Sequence, residues 1–341
     1  MIVRARRPPG KTATARPCGR LCTVRKRLTA HRADGGRAVI AAAAATAATV
    51  AVLVLGGCVT GGTAADPGGA GSSAAAPGAG TSGPAAVPTS GRFDYQLGGP
   101  SDLVDGARPD VVVRDADAAP LEGAYSVCYV NGFQTQPGQE DVWAGSDAVL
   151  RDADDRPVVD PDWPDEMVLD PATPHQREQI LAVIGPVITG CAEDGYAAVE
   201  IDNLDTFLRF PAGDDGSPGV DEAAALALAR SYVDVAHTAG LAIGQKNAAE
   251  LAARGRDELG FDFAVTEECA AFDECDAYRA AYGDAVLQIE YADTLPVPFD
   301  SVCAEPDRAA LTILRDRDLV PAGTEGHVFR QCAVPSGEPT R

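Results

Sequence analysis

Two runs in the chain, Val199-Glu200-Ile201-Asp202-Asn203-Leu204-Asp205 and Phe261-Asp262-Phe263-Ala264-Val265-Thr266-Glu267-Glu268-Cys269, share one pattern: a short apolar, β-prone stretch that ends abruptly in carboxylates. Such a pattern delivers acids to the exit of a buried strand instead of spreading them over a solvated face. Paired carboxyl groups suit cleavage of a glycosidic bond. One must protonate the leaving oxygen while the other attacks or activates water, because the transition state is an oxocarbenium ion.

Positioning two such acids is the task of the surrounding elements. Short β-rich runs recur at residues 93–97, 111–114, 125–130, 197–201, 241–245, 263–266, 285–289 and 311–314, most of them followed by amphipathic helical patterns such as 175–188 and 221–239. Alternating β and α spells a parallel sheet, and a single (β/α)8 TIM barrel is the simplest closure. An open doubly wound sheet is the structural competitor, but the chain has neither G-x-G-x-x-G nor G-x-x-x-x-G-K-[ST]. Polar residues gather at the strand ends: Gln96 after the first run, Asp115 and Asp117 after the second, Tyr129 and Asn131 at the third, Asp202, Asn203 and Asp205 at the fourth. Lys246 and Asn247 follow the fifth, Glu267 and Glu268 the sixth, Glu290 and Tyr291 the seventh. In a barrel all of these converge on the C-terminal rim, where such enzymes keep their chemistry, so each is a candidate for substrate contact.

The barrel is expected to span residues 92–335, preceded by an export signal and a tether. Eleven Lys and Arg against the single Asp34 precede an apolar run over residues 38–55, and Leu55-Gly56-Gly57-Cys58 closes the segment. A basic n-region, an h-region and a small-residue cleavage site read as a signal peptide over 1–57. The end of the segment resembles the bacterial lipobox, which makes Cys58 the lipidation site and a membrane tether; a single-pass anchor is the alternative. Residues 58–91, almost all Gly, Ala, Ser, Thr and Pro, read as a disordered linker that cannot bury a core. The folded part is therefore expected outside the cytoplasm, lipid-anchored or secreted.

Net charge over the whole chain is −22; the segment before Cys58 contributes +10, so the remainder carries −32. Such a polyanion repels nucleic acid and would concentrate a cationic ligand, although acidity can serve solubility alone. Beyond Cys18, Cys22 and Cys58, six cysteines remain, an even number in an exported domain with no zinc-type spacing. Of the 15 possible pairings, proximity favours Cys269 with Cys275 and Cys303 with Cys332, leaving Cys128 with Cys191.

Taken in order, Phe93-Asp94-Tyr95-Gln96-Leu97, Cys128-Tyr129, Asp202-Asn203-Leu204-Asp205, Gly244-Gln245-Lys246-Asn247, the run from Phe261 to Cys269, Cys275 and Ile289-Glu290-Tyr291 resemble the endo-α-1,4-polygalactosaminidases, glycoside hydrolase family 114. The resemblance spans nearly the whole domain and implies a barrel that cleaves α-1,4-linked galactosamine within cationic exopolysaccharide. It places the acidic pair on Asp202 and Glu267. Thr266 and Glu268 depart from the family's more usual Asn and Gln, and residues 162–166 are poorer in aromatics. These departures bear on subsite preference.

Asp202 is assigned as nucleophile and Glu267 as acid/base, a retaining arrangement; an inverting pair would stand about 6.5–9.5 Å apart against about 5 Å. Lys246, on the strand between them, is expected to balance charge. Tyr95, Tyr129 and Tyr291 offer flat faces for sugar rings or pack the rim, and Trp143 and Trp163 are candidates for the cleft wall. His175, His237 and His327 are too few and too scattered for a Ser-His-Asp device or a zinc site, and Asp152, Asp154 and Asp155 lack the EF-hand signature. No cofactor and no metal are expected, and a monomer. The rival readings are a non-catalytic carbohydrate-binding lipoprotein and a glycosidase for another amino-sugar polymer.

Overall fold

A computed structural model describes residues 83–213 and 215–333; the expected signal peptide, Cys58 and the linker up to residue 82 lie outside the described residues. Nine strands form one sheet in chain order: β1 Phe93–Gln96, β2 Val111–Asp115, β3 Tyr125–Asn131, β4 Ala198–Asp202, β5 Ala242–Lys246, β6 Phe263–Glu267, β7 Val286–Tyr291, β8 Leu311–Arg315 and β9 Phe329–Gln331. The first eight run parallel and coincide within two residues with the runs expected from sequence. Parallel strands covered on both faces are nearly continuous apolar runs, which is why they are legible. The sheet closes nearly into a TIM-type barrel.

Three features depart from a regular eightfold alternation. No helix follows β1 or β2; loops carry those connections. β9, only three residues long, pairs antiparallel with β8. At the seam with β1, side chains replace a strand ladder: Gln331 accepts from Phe93 N at 3.2 Å and donates to Gly91 O at 2.8 Å. Beside it Arg315 Nη1 pairs with Asp94 Oδ1 at 2.6 Å, both side chains buried.

Among the described residues eight α-helices stand outside the sheet, besides a 3-10 turn at Ala249–Leu251 and a π turn at Gly255–Leu259: α1 Glu140–Trp143, α2 Pro174–Asp194, α3 Thr206–Arg209, α4 Glu222–Thr238, α5 Ala252–Arg254, α6 Cys269–Phe272, α7 Cys275–Tyr282 and α8 Phe299–Ala304. Local chemistry sets the ends of the long ones. Thr173 and Gln176 form a reciprocal capping box ahead of α2, Pro174 opens it, and Gly195 ends it in the left-handed region at φ 96°. Asp221 caps α4 by accepting from Ala224 N at 2.9 Å. Ile180, Ile184 and Ile188 of α2, with Leu228, Ala229 and Tyr232 of α4, pack on the outward residues of β4 and β5. Among the described residues no helix is long and apolar enough to cross a membrane.

The sulfurs pair as Cys128–Cys191, Cys269–Cys275 and Cys303–Cys332. Residues 83–91, assigned to the linker on composition, in part join the barrel: Val87 is buried, and Tyr125 donates its hydroxyl to Ala85 O at 2.7 Å. A polar, small-residue composition carries no sign of one apolar side chain finding a site.

Candidate active site

Successive side chains on a strand point to opposite faces, so residues two apart share one. Facing the barrel interior are Phe93 and Tyr95 of β1, Val111 and Val113 of β2, Val127 of β3, Ala198 of β4, Ala242 of β5, Phe263 and Val265 of β6, and Leu287, Ile289 and Tyr291 of β7. The same alternation carries Glu200 and Asp202 of β4, Lys246 of β5 and Glu267 of β6 inward, above the apolar layer. Gly244 makes room in that layer, since a Cβ there would fall 2.6 Å from the ring of Phe263.

One ammonium joins three acids. Lys246 Nζ lies 3.3 Å from Asp202 Oδ1, 3.0 Å from Glu267 Oε2 and 3.9 Å from Glu200 Oε1. Burial opposes the lysine's charge, yet Asp202, Glu267 and Glu200 hold it well above the ordinary lysine range. Each acid also takes a hydrogen bond from its own tyrosine: Tyr95 donates to Glu200 at 2.6 Å, Tyr129 to Asp202 at 2.8 Å, and Tyr291 to Glu267. Burial alone would raise the Asp202 carboxyl. The Lys246 charge, the Tyr129 hydroxyl and the Asn203 amide at 2.8 Å outweigh it and hold Asp202 below the ordinary aspartate range.

Immediately beyond Asp202, Lys246 and Glu267 the chain turns into the left-handed region, at Asn203 (φ 64°), Asn247 (φ 49°) and Glu268 (φ 61°). Asparagine tolerates that conformation better than most residues, and here it also bonds back to the site. Asn203 N donates to Asp202, while Asn247 accepts from Glu267 N at 2.8 Å and donates to Glu267 Oε2 at 3.3 Å.

The rim adds residues that strand-end reasoning did not reach. Asn131 Oδ1 accepts from Asn203 at 3.0 Å, and Asn131 Nδ2 donates to Glu166 at 2.9 Å. Arg209 joins Asp160 at 2.5 Å, Asn203 at 2.6 Å and Asp205 at 3.3 Å. Burial, opposed by the Asn131 bond and aided by Asp202 and Asp160, pushes Glu166 up to about 7. On the opposite side Arg317 pairs with Glu268 at 3.0 Å and lies 4.6 Å over the ring of Tyr291. Glu166, Asp160 and Arg209 come from excursions away from the strand tips, so no local signal marks them, whereas Arg317 stands two residues past the end of β8, the one strand end from which no candidate was drawn. Glu200 had one: it stands two residues before Asp202 on the same strand.

Several strand-end candidates make no bond to the acid cluster or are held by other partners. Gln96 points to the outer face with Asp94, tying Ser101 and Arg114 to β1. Glu290, also outward, is buried and accepts from Ala270 N and Gln288 Nε2, each at 2.9 Å. Both miss the mouth because a shift of one residue along a strand reverses the face. Asp115 and Asp117 make no bond to the acid cluster; burial first, then Asp117, pushes Asp115 up to about 6. Tyr95 is fully buried beneath the acids and offers no face to a sugar. Asp205 and Glu268 are engaged by Arg209 and Arg317. Trp163 is exposed on the β3–α2 excursion, whereas Trp143 is buried.

Metal-ligand sets are poorly supplied among the described residues. Cys269, Cys275 and Glu290 cluster, but the two sulfurs are bonded to each other. Arg156 neutralises Asp152 at 2.8 Å and Asp154 at 2.7 Å. A groove of about 460 Å³ lined by Asp147, Arg151, Asp155, Asp170 and Pro218 contains none of the inward-facing acids, so the barrel mouth is the better candidate.

The family model of glycoside-hydrolase family GH114 matches residues 73–336. The structure of Aspergillus fumigatus Ega3 in complex with galactosamine is similar at a TM-score of 0.55 and 18% identity, over 71% of this chain and 95% of that one. A variant of the PelA glycoside hydrolase domain from Pseudomonas aeruginosa is similar at a TM-score of 0.47 and 16% identity, over 70% and 100% of the two chains. No curated protein sequence matches. At such identities the likeness to Ega3 speaks for the fold.

Proposed function

Since the chain belongs to glycoside-hydrolase family GH114, we propose that it is an endo-acting hydrolase of α-1,4-linked galactosamine in a cationic exopolysaccharide, with Asp202 as nucleophile and Glu267 as acid/base. The observation that carries the reading is the sharing of Lys246 by those two carboxyl groups at the barrel mouth. Galactosamine bound to the fold relative Ega3 supports the choice of sugar.

The geometry supports retention. Asp202 Oδ1 and Glu267 Oε2, at 3.3 and 3.0 Å from one nitrogen, can stand no more than 6.3 Å apart. That upper bound falls short of the roughly 6.5–9.5 Å that leaves room for water and admits the roughly 5–5.5 Å of retaining pairs. In the first step Glu267 gives its proton to the glycosidic oxygen while Asp202 attacks the anomeric carbon, forming a glycosyl ester and freeing the leaving chain. A water then attacks that carbon, its proton passes to Glu267, and Asp202 leaves as carboxylate. The Tyr129 and Asn203 donors favour the ionised Asp202 that the first step needs.

Tyr129, Asn203, Asn247 and Tyr291 orient the acids in this reading, with Asp205 and Glu268 on the flanks. The layout is a signal peptide over 1–57, a tether that starts at residue 58 and whose last residues, 83–91, in part join the barrel, and the catalytic domain over 92–335, with Cys58 lipidated and the domain monomeric outside the cell. No cofactor and no nucleic acid take part.

The test is hydrolysis of de-N-acetylated α-1,4-galactosamine oligomers by Asp202→Asn and Glu267→Gln. Each is expected to lose at least about a hundredfold in rate with its fold intact. Near-normal turnover in either variant would refute the assigned role, and Asp205→Asn in parallel separates the pair from its neighbours.

A further inference from the structure

Glu200 has no part in the two-carboxylate reaction, yet it is wholly buried directly beneath it. Its Oε1 accepts from the Tyr95 hydroxyl at 2.6 Å, and the Tyr95 oxygen in turn accepts from Lys246 Nζ at 2.9 Å. Its Oε2 is buried without a hydrogen-bond partner among the described residues. An anionic oxygen there would stand unpaired against an apolar layer, a far costlier state than a neutral hydroxyl. Ionised, Glu200 would also be a third negative charge competing from below for a single ammonium. At present that ammonium lies closer to Asp202 and Glu267, at 3.3 and 3.0 Å, than to Glu200 at 3.9 Å.

We propose that Glu200 is a positioning acid held in its neutral form: through Tyr95 it seats Lys246 at the level of Asp202 and Glu267, and its ionisation draws the ammonium down the barrel away from them. The proposal rests on the catalytic reading of those two residues. The titratable groups facing Glu200 are Tyr95 of β1, Tyr129 of β3, Asp202 of β4, Lys246 of β5 and Glu267 of β6. From β2, β7 and β8 come apolar side chains, while Tyr291 is directed to Glu267 and Arg315 to Asp94. Burial, opposed by Lys246 and the Tyr95 bond and reinforced by Asp202 and Glu267, pushes Glu200 up to about 8.

The experiment follows Glu200 itself and then the reaction. In protein labelled with ¹³C at glutamate carboxyl carbons, the Glu200 resonance is identified by its absence from Glu200→Gln and titrated with pH. A midpoint far above the ordinary glutamate value of 4.5 is expected; a midpoint near that value overturns the proposal. This arm needs no substrate, so its failure is separate from failure of the galactosaminidase reading, which the Asp202 and Glu267 variants test. In kinetics, Glu200→Ala should lower kcat about ten- to a hundredfold with KM little changed, as misplaced catalytic groups do. Glu200→Gln, which keeps an acceptor for Tyr95, should rescue most of that loss and lack the decline of the wild type as pH rises through about 8. Failure of Gln to rescue, or persistence of the wild-type alkaline limb in Glu200→Gln, overturns the proposal. Should Glu200→Ala not fold, Tyr95→Phe severs the same link, and a kcat equal to that of the wild type counts against it.

Discussion

Tyr129 donates its phenolic hydrogen to Oδ2 of Asp202 at 2.8 Å, from a strand that pairs directly with the one carrying the acid. The bond explains why an aromatic stands at the tip of β3: its hydroxyl stabilises the anion, whatever contact its ring makes with sugar.

Tyr129→Phe should therefore move the acid limb of the pH–rate profile. The folded Asp202 carboxyl lies below its ordinary value of 3.8, so the anion persists as pH falls and is lost only at that lower value. Removing a donor raises it, and activity should then fail at higher pH. With the Lys246 charge and the Asn203 amide still in place the carboxyl remains ionised at neutral pH, so the change should be concentrated on the acid limb. An unmoved acid limb in kcat/KM would show that the bond does not govern Asp202.

Closure of the barrel rests on a buried ion pair, Arg315 with Asp94 at 2.6 Å. Asp94→Ala leaves the buried guanidinium with only the more distant Asp316, at 3.8 Å, and should cost up to about 3–5 kcal/mol in urea unfolding. Asp94→Ala combined with Arg315→Met should recover most of that loss, because an apolar pair leaves no charge stranded. Equal destabilisation of the single and double variants would mean that packing, and not the ion pair, holds the seam.

The disulfides should differ in weight. Cys128–Cys191 closes a separation of 63 residues and joins β3 to α2, whereas Cys269–Cys275 closes only 6. On loop-closure entropy the first is worth about 4 kcal/mol and the second about 2. Thermal unfolding of the two Cys-to-Ala double variants tests the order. The short loop follows Glu267 directly, so its loss is expected to show more in turnover than in melting temperature.

Charge predicts a salt dependence. With −32 on the chain from residue 58 onward, attraction for a polycationic chain should weaken as the Debye length shrinks from about 30 Å at 0.01 M to about 8 Å at 0.15 M. Measured kcat/KM should fall with salt for the deacetylated polymer and far less for its N-acetylated counterpart. Equal response to salt would leave the acidity as a device for solubility alone.

The amino-acid sequence by itself determined the eight parallel strands and the acids at their exits. A strand buried on both faces is a compact apolar run, and the polar residue that ends it is visible without any knowledge of its neighbours. What lies at the tip of a strand was therefore readable; which way it points was less so. Tyr291 faces the mouth and Glu290 beside it faces the helices, a difference of one residue that a period of two turns into opposite sides of the sheet. The three-residue β9 and the seam that Gln331, Arg315 and Asp94 close were beyond local pattern, since nothing in so short a run announces its partner. Only the closed barrel brings Lys246 of β5 between acids of β4 and β6 and seats Glu200 below them. Those distances arise from the curvature of the whole sheet, and the charge each group carries follows from them, so neither is written in any one strand.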